Sequence, residues 1–247
     1  MIYDVHTKNK SFLKVSKLLR ENGVKNNKFM LMLYDETLVG VDPRDRNLTK
    51  AQQLAIYREC CKNVWYFIRE VVMLPADGAE IPYELNVGNC TLTYLRYKNK
   101  NFILILPRQH GKTMGEVVFE VWMLCFATRN TNVSYLNKGK NDAVKNLKLF
   151  SDIKNLLPDW MLSNFINDAR RDIDNQEKKL VAKNNNTLGV VAPGVDPDAA
   201  EKAGRGLTTS NIIFDEFAWN LASFKIKFYI TIYYRILVLD GGSLCIQ

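Results

Sequence analysis

An α/β fold with a mainly parallel central sheet is what the sequence predicts, and three observations predict it. Apolar runs of strand length alternate with amphipathic helix-length runs between residues 102 and 157, the order expected of strand–helix–strand units. FILILPRQHGKT (102–113) joins one such apolar run to a helix through a loop that closes on Gly111-Lys112-Thr113. NIIFDE (211–216) is a second buried-strand pattern, Ile212, Ile213 and Phe214, delivering two carboxylates at its end.

Taken in order, residues 11–20 read as a short basic helix closed by Asn22-Gly23. The apolar run 29–33 fits strand or helix, and 41–47, with Pro43 and four charged residues, is loop. Thr49 and Gln52 form a capping box. Behind it Leu54, Cys61, Val64, Trp65, Ile68, Val71 and Val72 predict one long helix with a buried face, ended by Pro75. Trp65, Tyr66 and Phe67 are read as core aromatics rather than base-stacking ones. Residues 75–82, with Asp77-Gly78, are expected to be loop, and Leu92, Tyr94 and Leu95 an element leading into the next strand.

Phe102 to Leu106 suit a buried strand that Pro107 ends; Met114, Val117, Val118, Val121, Trp122 and Cys125 then give the apolar face of a helix. Residues 132–136 read as strand and 142–157 as a helix stopped by Pro158. The polar run 164–186 is expected to be a solvated loop with a weak helix, and 187–192 a strand. PGVDPDAAEKAGRG (193–206) is a flexible loop entering the strand at 212–214.

Composition bounds the function. A 47% apolar content is ample for a core, and 247 residues allow one large domain or a domain with an appendage. A net charge of +8 favours a polyanionic partner. Five cysteines without a C-x-x-C pair, and only His6 and His110, argue against zinc and for reduced, buried thiols. No signal-like or membrane-spanning apolar segment is present, so a cytoplasmic, membrane-free protein is expected.

The chemistry lies in the two motifs. Strand, loop and helix around Gly111-Lys112-Thr113 are the setting of a phosphate-binding loop, although in G-x-x-x-x-G-K-[ST] the first glycine falls here on Leu106. Backbone N–H groups of such a loop and the positive end of the helix cradle phosphates, Lys112 reaches the β/γ oxygens, and the Thr113 hydroxyl ligates Mg²⁺. Asp215 then holds Mg²⁺ through water, and Glu216 polarises the attacking water. ATP and Mg²⁺ are the cofactors this reading calls for.

PRQHGKT, NKGKNDAVKNLKLFSDIKNLLPDWM, AGRG and IIFDEFAW together resemble the ATPase part of a tailed-phage terminase large subunit, over residues 1–219. Arg108-Gln109 inside the loop and Arg205-Gly206 before the second strand are the specific features. The resemblance implies a P-loop NTPase fold of the additional-strand, catalytic-glutamate type, with a mainly helical extension at 1–80 and an ATPase core at 81–219. It implies nucleotide contacts from Arg108, Gln109, His110, Gly111, Lys112, Thr113 and Asp215, and Mg²⁺ at Thr113 and Asp215. Catalysis falls to Glu216, with Arg108 in cis and Arg205 reaching a neighbouring subunit. A homo-oligomeric ring, double-stranded DNA, a portal protein and a small terminase subunit are the implied partners, in the host cytoplasm and transiently at the procapsid portal. No glutamine lies between Gln53 and Gln109, so the adenine contact has no residue assigned; the segment 83–89 is the nearest candidate.

Residues 220–247 depart from the family. Asp240 is their one carboxylate, whereas two-metal phosphodiester cleavage needs several, so nuclease activity is not expected of this chain. The stretch 224–239 either completes the sheet as a strand or is sequence read past a frameshift, an intron boundary or an early stop. Two other functions stay open: a P-loop helicase or translocase of another pathway, and a remnant that binds nucleotide or DNA without hydrolysis.

Overall fold

The computed structural model of the chain describes residues 1–100, 102–107, 109–137, 140–191, 210–214 and 237–239. The chain opens with β1 (Ile2–Tyr3) and α1 (Lys10–Glu21), followed by a tight helical turn at Phe29–Leu31 and β2 (Met32–Leu33), which pairs antiparallel with β1. The apolar run at 29–33 is thus half turn and half strand.

Helix α2 (Lys50–Lys62) starts at the expected capping box: Thr49 Oγ1 accepts from Gln52 N at 3.2 Å, and Gln52 Oε1 accepts from Thr49 N at 2.9 Å. The long helix expected from there to residue 73 is broken at Asn63. Its φ of −132° leaves the helical region, its Oδ1 accepts from the backbone N–H of Trp65 and Tyr66, and its Nδ2 donates to the Met32 carbonyl at 2.9 Å. A new helix, α3 (Val64–Tyr66), begins on that cap and closes with one widened turn, Val72 N donating to Phe67 O at 3.0 Å. Trp65, Tyr66 and Phe67 are buried in the core, as read. The expected loop at 75–82 is instead a hairpin, β3 (Met73–Ala76) against β4 (Ala79–Pro82). Asp77-Gly78 forms its turn with Gly78 at φ +71°, where a side chain would be strained.

The element before the loop is helix α4 (Val87–Tyr97); β5 (Ile103–Ile105) and α5 (Lys112–Trp122) follow, and α5 ends in a second widened turn, Thr128 N to Met123 O at 3.0 Å. Next come β6 (Asn132–Leu136), α6 (Lys140–Asn155) and the short α7 (Asp159–Met161). The polar run after α7 is not mainly loop: it holds β7 (Ile173–Asp174) and β8 (Lys178–Val181), antiparallel to each other and leading into β9 (Asn186–Val191). Asn184 and Asn186 of this run are consumed internally. Buried Asn186 donates from Nδ2 to the carbonyls of Leu124 (2.7 Å) and Thr128 (2.8 Å) and accepts from Thr131 N, while Asn184 donates to Cys125 O at 2.9 Å. These bonds satisfy carbonyls that the end of a helix leaves without partners.

With β10 (Asn211–Phe214) and β11 (Leu237–Leu239), the main sheet has the order β5-β11-β10-β6-β9-β8-β7. It is mixed rather than simply parallel: neighbours from β5 to β9 run parallel, and β8 and β7 add an antiparallel edge. Residues 237–239 enter the sheet between β5 and β10; the rest of 220–247 lies outside the described residues. One buried apolar cluster runs from Phe12 and Val15 of α1 through Trp65 and Phe67 to Val118 and Val121 of α5, Val133 of β6 and Ile213 of β10. Among the described residues no helix is long and apolar enough to cross a membrane, and no group of His, Cys, Asp and Glu is placed to hold a metal ion.

Candidate nucleotide-binding site

Strand β5 hands the chain to Leu106, Pro107, Gln109, His110 and Gly111 at the edge of the sheet where its strands end, and α5 begins at once with Lys112 and Thr113. Gln109 and Gly111 both have left-handed backbone, φ +63° and +70°. Residues of this kind turn successive N–H groups toward one point, the geometry of anion-binding concavities, and Gln109 adopts it without the freedom of glycine. Gly111 is the N-cap of α5, with Gly115 N donating to its carbonyl at 2.9 Å. Lys112 Nζ donates to the Leu106 carbonyl at 3.3 Å, so the ammonium is folded over the start of the loop it would serve. Lys112, Thr113 and Glu116, with Leu92, Leu104, Tyr135 and Ile213, line a cavity of about 10 Å³ under the loop, room for about one water.

Arg108, Arg205, Asp215 and Glu216 lie outside the described residues. Of the sites read from sequence, Gln109, His110, Gly111, Lys112 and Thr113 are brought together on one loop and one helical turn. The strand that precedes Asp215 and Glu216, β10, runs parallel to β11 and through it to β5, so it ends at the same sheet edge as the loop.

The loop has a second wall that sequence reasoning did not assign. Asn86 caps α4, its Oδ1 accepting from Asn89 N at 2.8 Å, and the same side chain donates from Nδ2 to the His110 carbonyl at 3.2 Å. Gly88 lies against Leu106, where a Cβ would come within 2.8 Å of Cδ1. Asn89 is buried against the first turn of α5: a Cβ on Gly111 would stand 3.3 Å from its Nδ2 and one on Gly115 2.9 Å from its Oδ1. That Oδ1 has no hydrogen-bond partner among the described residues. Beside it, burial pushes the Tyr83 phenol above its ordinary range and raises the Cys90 thiol to about 12. Through Asn86 the segment 83–89 reaches the loop's backbone. The N-V-G-N pattern before an apolar helix was the available signal, a cap followed by a glycine where something approaches closely.

One turn further along, α4 and α5 are joined by buried charge. Arg96 pairs with Glu116 at 3.0 Å and with Glu120, and its guanidinium lies 4.6 Å from the centroid of the Phe119 ring. All three ionic side chains are buried. Their trace in the sequence is two carboxylates four residues apart on an otherwise apolar helix face, the spacing that puts both on one side.

No protein-family model matches the chain, and no curated protein matches it. Among solved structures it is similar to the crystal structure of the HK97 bacteriophage large terminase, with 17% sequence identity and a TM-score of 0.47. The match covers 72% of this chain and 36% of that one, so the chain spans about a third of the length of that terminase.

Proposed function

We propose that the chain is the ATPase motor part of a phage terminase large subunit, hydrolysing ATP to drive double-stranded DNA into a procapsid. The observation that carries this reading is the loop: left-handed Gly111 capping α5, with Lys112 and Thr113 as its first two residues, at the end of β5. The donor set fits a Mg²⁺–triphosphate group. The first-turn N–H groups of α5 and the Lys112 ammonium are cations or partial cations, and Gly111 holds a φ of +70°, where a side chain would be strained and would stand 3.3 Å from Asn89 Nδ2. Thr113 and Asp215 would hold Mg²⁺, which when bound neutralises charge on the phosphates.

In this reading Lys112 leaves the Leu106 carbonyl for the β/γ oxygens, Gln109, His110 and Gly111 present backbone to the phosphates, and Glu216 takes the proton of the attacking water. Arg108 in cis and Arg205 from a neighbouring subunit offset charge on the transferring phosphoryl group, an effect worth about 10³ to 10⁵ in rate for such arginines. The ring, the portal and the small subunit belong to the same proposal, as do the division at residues 80 and 219, the cytoplasmic location and the lack of nuclease activity.

The test is paired. Lys112→Ala abolishes the thermal shift that MgATP gives the wild type, about 2.7 kcal/mol at a hundredfold excess over Kd. Glu216→Gln keeps that shift and loses turnover. Equal shifts in wild type and Lys112→Ala would remove the phosphate-loop assignment, and unchanged hydrolysis in Glu216→Gln would move the base elsewhere.

A further inference from the structure

The chain's positive charge is not spread evenly. Lys8, Lys10, Lys14, Lys17, Arg20, Lys25 and Lys28 face only Glu21 within the same stretch, a local charge of +6 where the whole chain carries +8. All seven cations are exposed. Lys10, Lys14 and Lys17 follow the four-and-three spacing that places them on one side of α1, opposite buried Phe12 and Val15. Among the described residues the only carboxylate contact on this surface is Lys17 to Glu21 at a loose 3.8 Å.

This arrangement works against the helix that carries it. Lys10 occupies the first helical position, no acidic residue lies in the first turn, and Asn9 makes no side-chain cap bond. Cations at a helix N-terminus, and like charges three and four residues apart, each cost a few tenths of a kcal/mol. Asn9 is engaged elsewhere: its Nδ2 donates to the carbonyls of Tyr83 (2.8 Å) and Arg69 (3.3 Å), and Ser11 Oγ accepts from Leu85 N at 2.9 Å. The stripe is therefore held rigidly, and the segment that anchors it runs directly into Asn86 at the phosphate loop.

We infer that the exposed face of α1, continued by Lys25 and Lys28, is a docking surface for the phosphate backbone of duplex DNA. The choice of DNA rests on the motor reading above; the surface itself rests on charge complementarity. Lysines about 6 Å and 4.5 Å apart along the helix axis meet a polyanion carrying a charge every 1.7 Å or so of duplex. Lysine is a point charge without the fork that reads base edges, so the contact is independent of sequence. An anionic membrane is the poorer partner, because an interfacial helix must insert its apolar face and that of α1 is already in the core.

The experiment uses the full chain without nucleotide and follows binding to a short fluorescent duplex from about 50 to about 200 mM KCl. Lys10→Ala/Lys14→Ala/Lys17→Ala should melt no lower than wild type, because alanine relieves repulsion, and its salt slope should be shallower by about 3. Lys145→Ala/Lys148→Ala/Lys183→Ala removes three exposed lysines elsewhere and should leave the slope near wild type. An unchanged slope in the α1 triple variant, an equal loss in the control, or binding to phosphatidylserine vesicles without binding to duplex would each overturn the proposal. The α1 triple variant should keep the wild-type thermal shift with MgATP, so a failure of ATP binding and a failure of the α1 surface appear in different measurements.

Discussion

Asn86→Ser separates two duties of one side chain. Serine caps a helix about as well as asparagine, so α4 should keep its start and the melting temperature should fall only by what the lost bond contributes; alanine would give up a further cap contribution of about 1 kcal/mol. What serine cannot supply is the amide N–H that reaches the His110 carbonyl at 3.2 Å. That bond is neutral and solvent-exposed, so its net worth is about 0.5 to 1.5 kcal/mol. It restrains the loop before nucleotide arrives, and its loss returns that ordering cost to binding, weakening MgATP by roughly 2- to 13-fold. Titration calorimetry on wild type, Asn86→Ser and Asn86→Ala, beside thermal melts, reads both quantities. Affinity should fall in both variants, and stability should fall further in alanine, which loses the cap as well as the bond. Wild-type affinity in Asn86→Ser would show that Asn86 is a cap and nothing more, and a melting temperature as low as that of alanine would show that serine does not keep the cap.

Gly115→Ala gains helix propensity, about 0.8 to 1.0 kcal/mol, yet should destabilise the protein, because the new Cβ meets Asn89 Oδ1 at 2.9 Å and Leu92 at 3.2 Å. In an Asn89→Ala background much of that penalty should disappear, and a chemical denaturation double-mutant cycle without coupling would contradict this. Arg96→Ala leaves Glu116 and Glu120 buried without their guanidinium, a loss of about 3 to 5 kcal/mol; a loss under 1 kcal/mol by urea denaturation would mean the pair is wet in solution. Burial raises the Cys125 thiol from 9.0 to about 12, so the unfolded thiol ionises first and stability drains as pH rises from 9 toward 12. The difference in urea midpoint between wild type and Cys125→Ala should therefore shift toward the variant across that range, and a constant difference would place the thiol in contact with water.

What was legible in the sequence is what short-range chemistry decides. The Thr49–Gln52 box, the strand that Pro107 ends, the helix opened by Gly111 and the strand at 211–214 each depend on residues within a few positions of one another, so spacing alone exposes them. The same holds for the cluster from Gln109 to Thr113, which is one loop and one turn. Tertiary structure decided the rest. Asn63 breaks a helix that its neighbours favour because its amide finds the Met32 carbonyl, 31 residues away. Asn184 and Asn186, polar enough to read as loop, are buried because the end of α5 exposes carbonyls that need donors. Asn86 and Asn89 become the second wall of the loop only when α4 lies beside α5, and Arg96 meets Glu116 and Glu120 by the same packing. In each case a side chain's role is set by which distant backbone or charge would be left without a partner, and a linear pattern does not carry that.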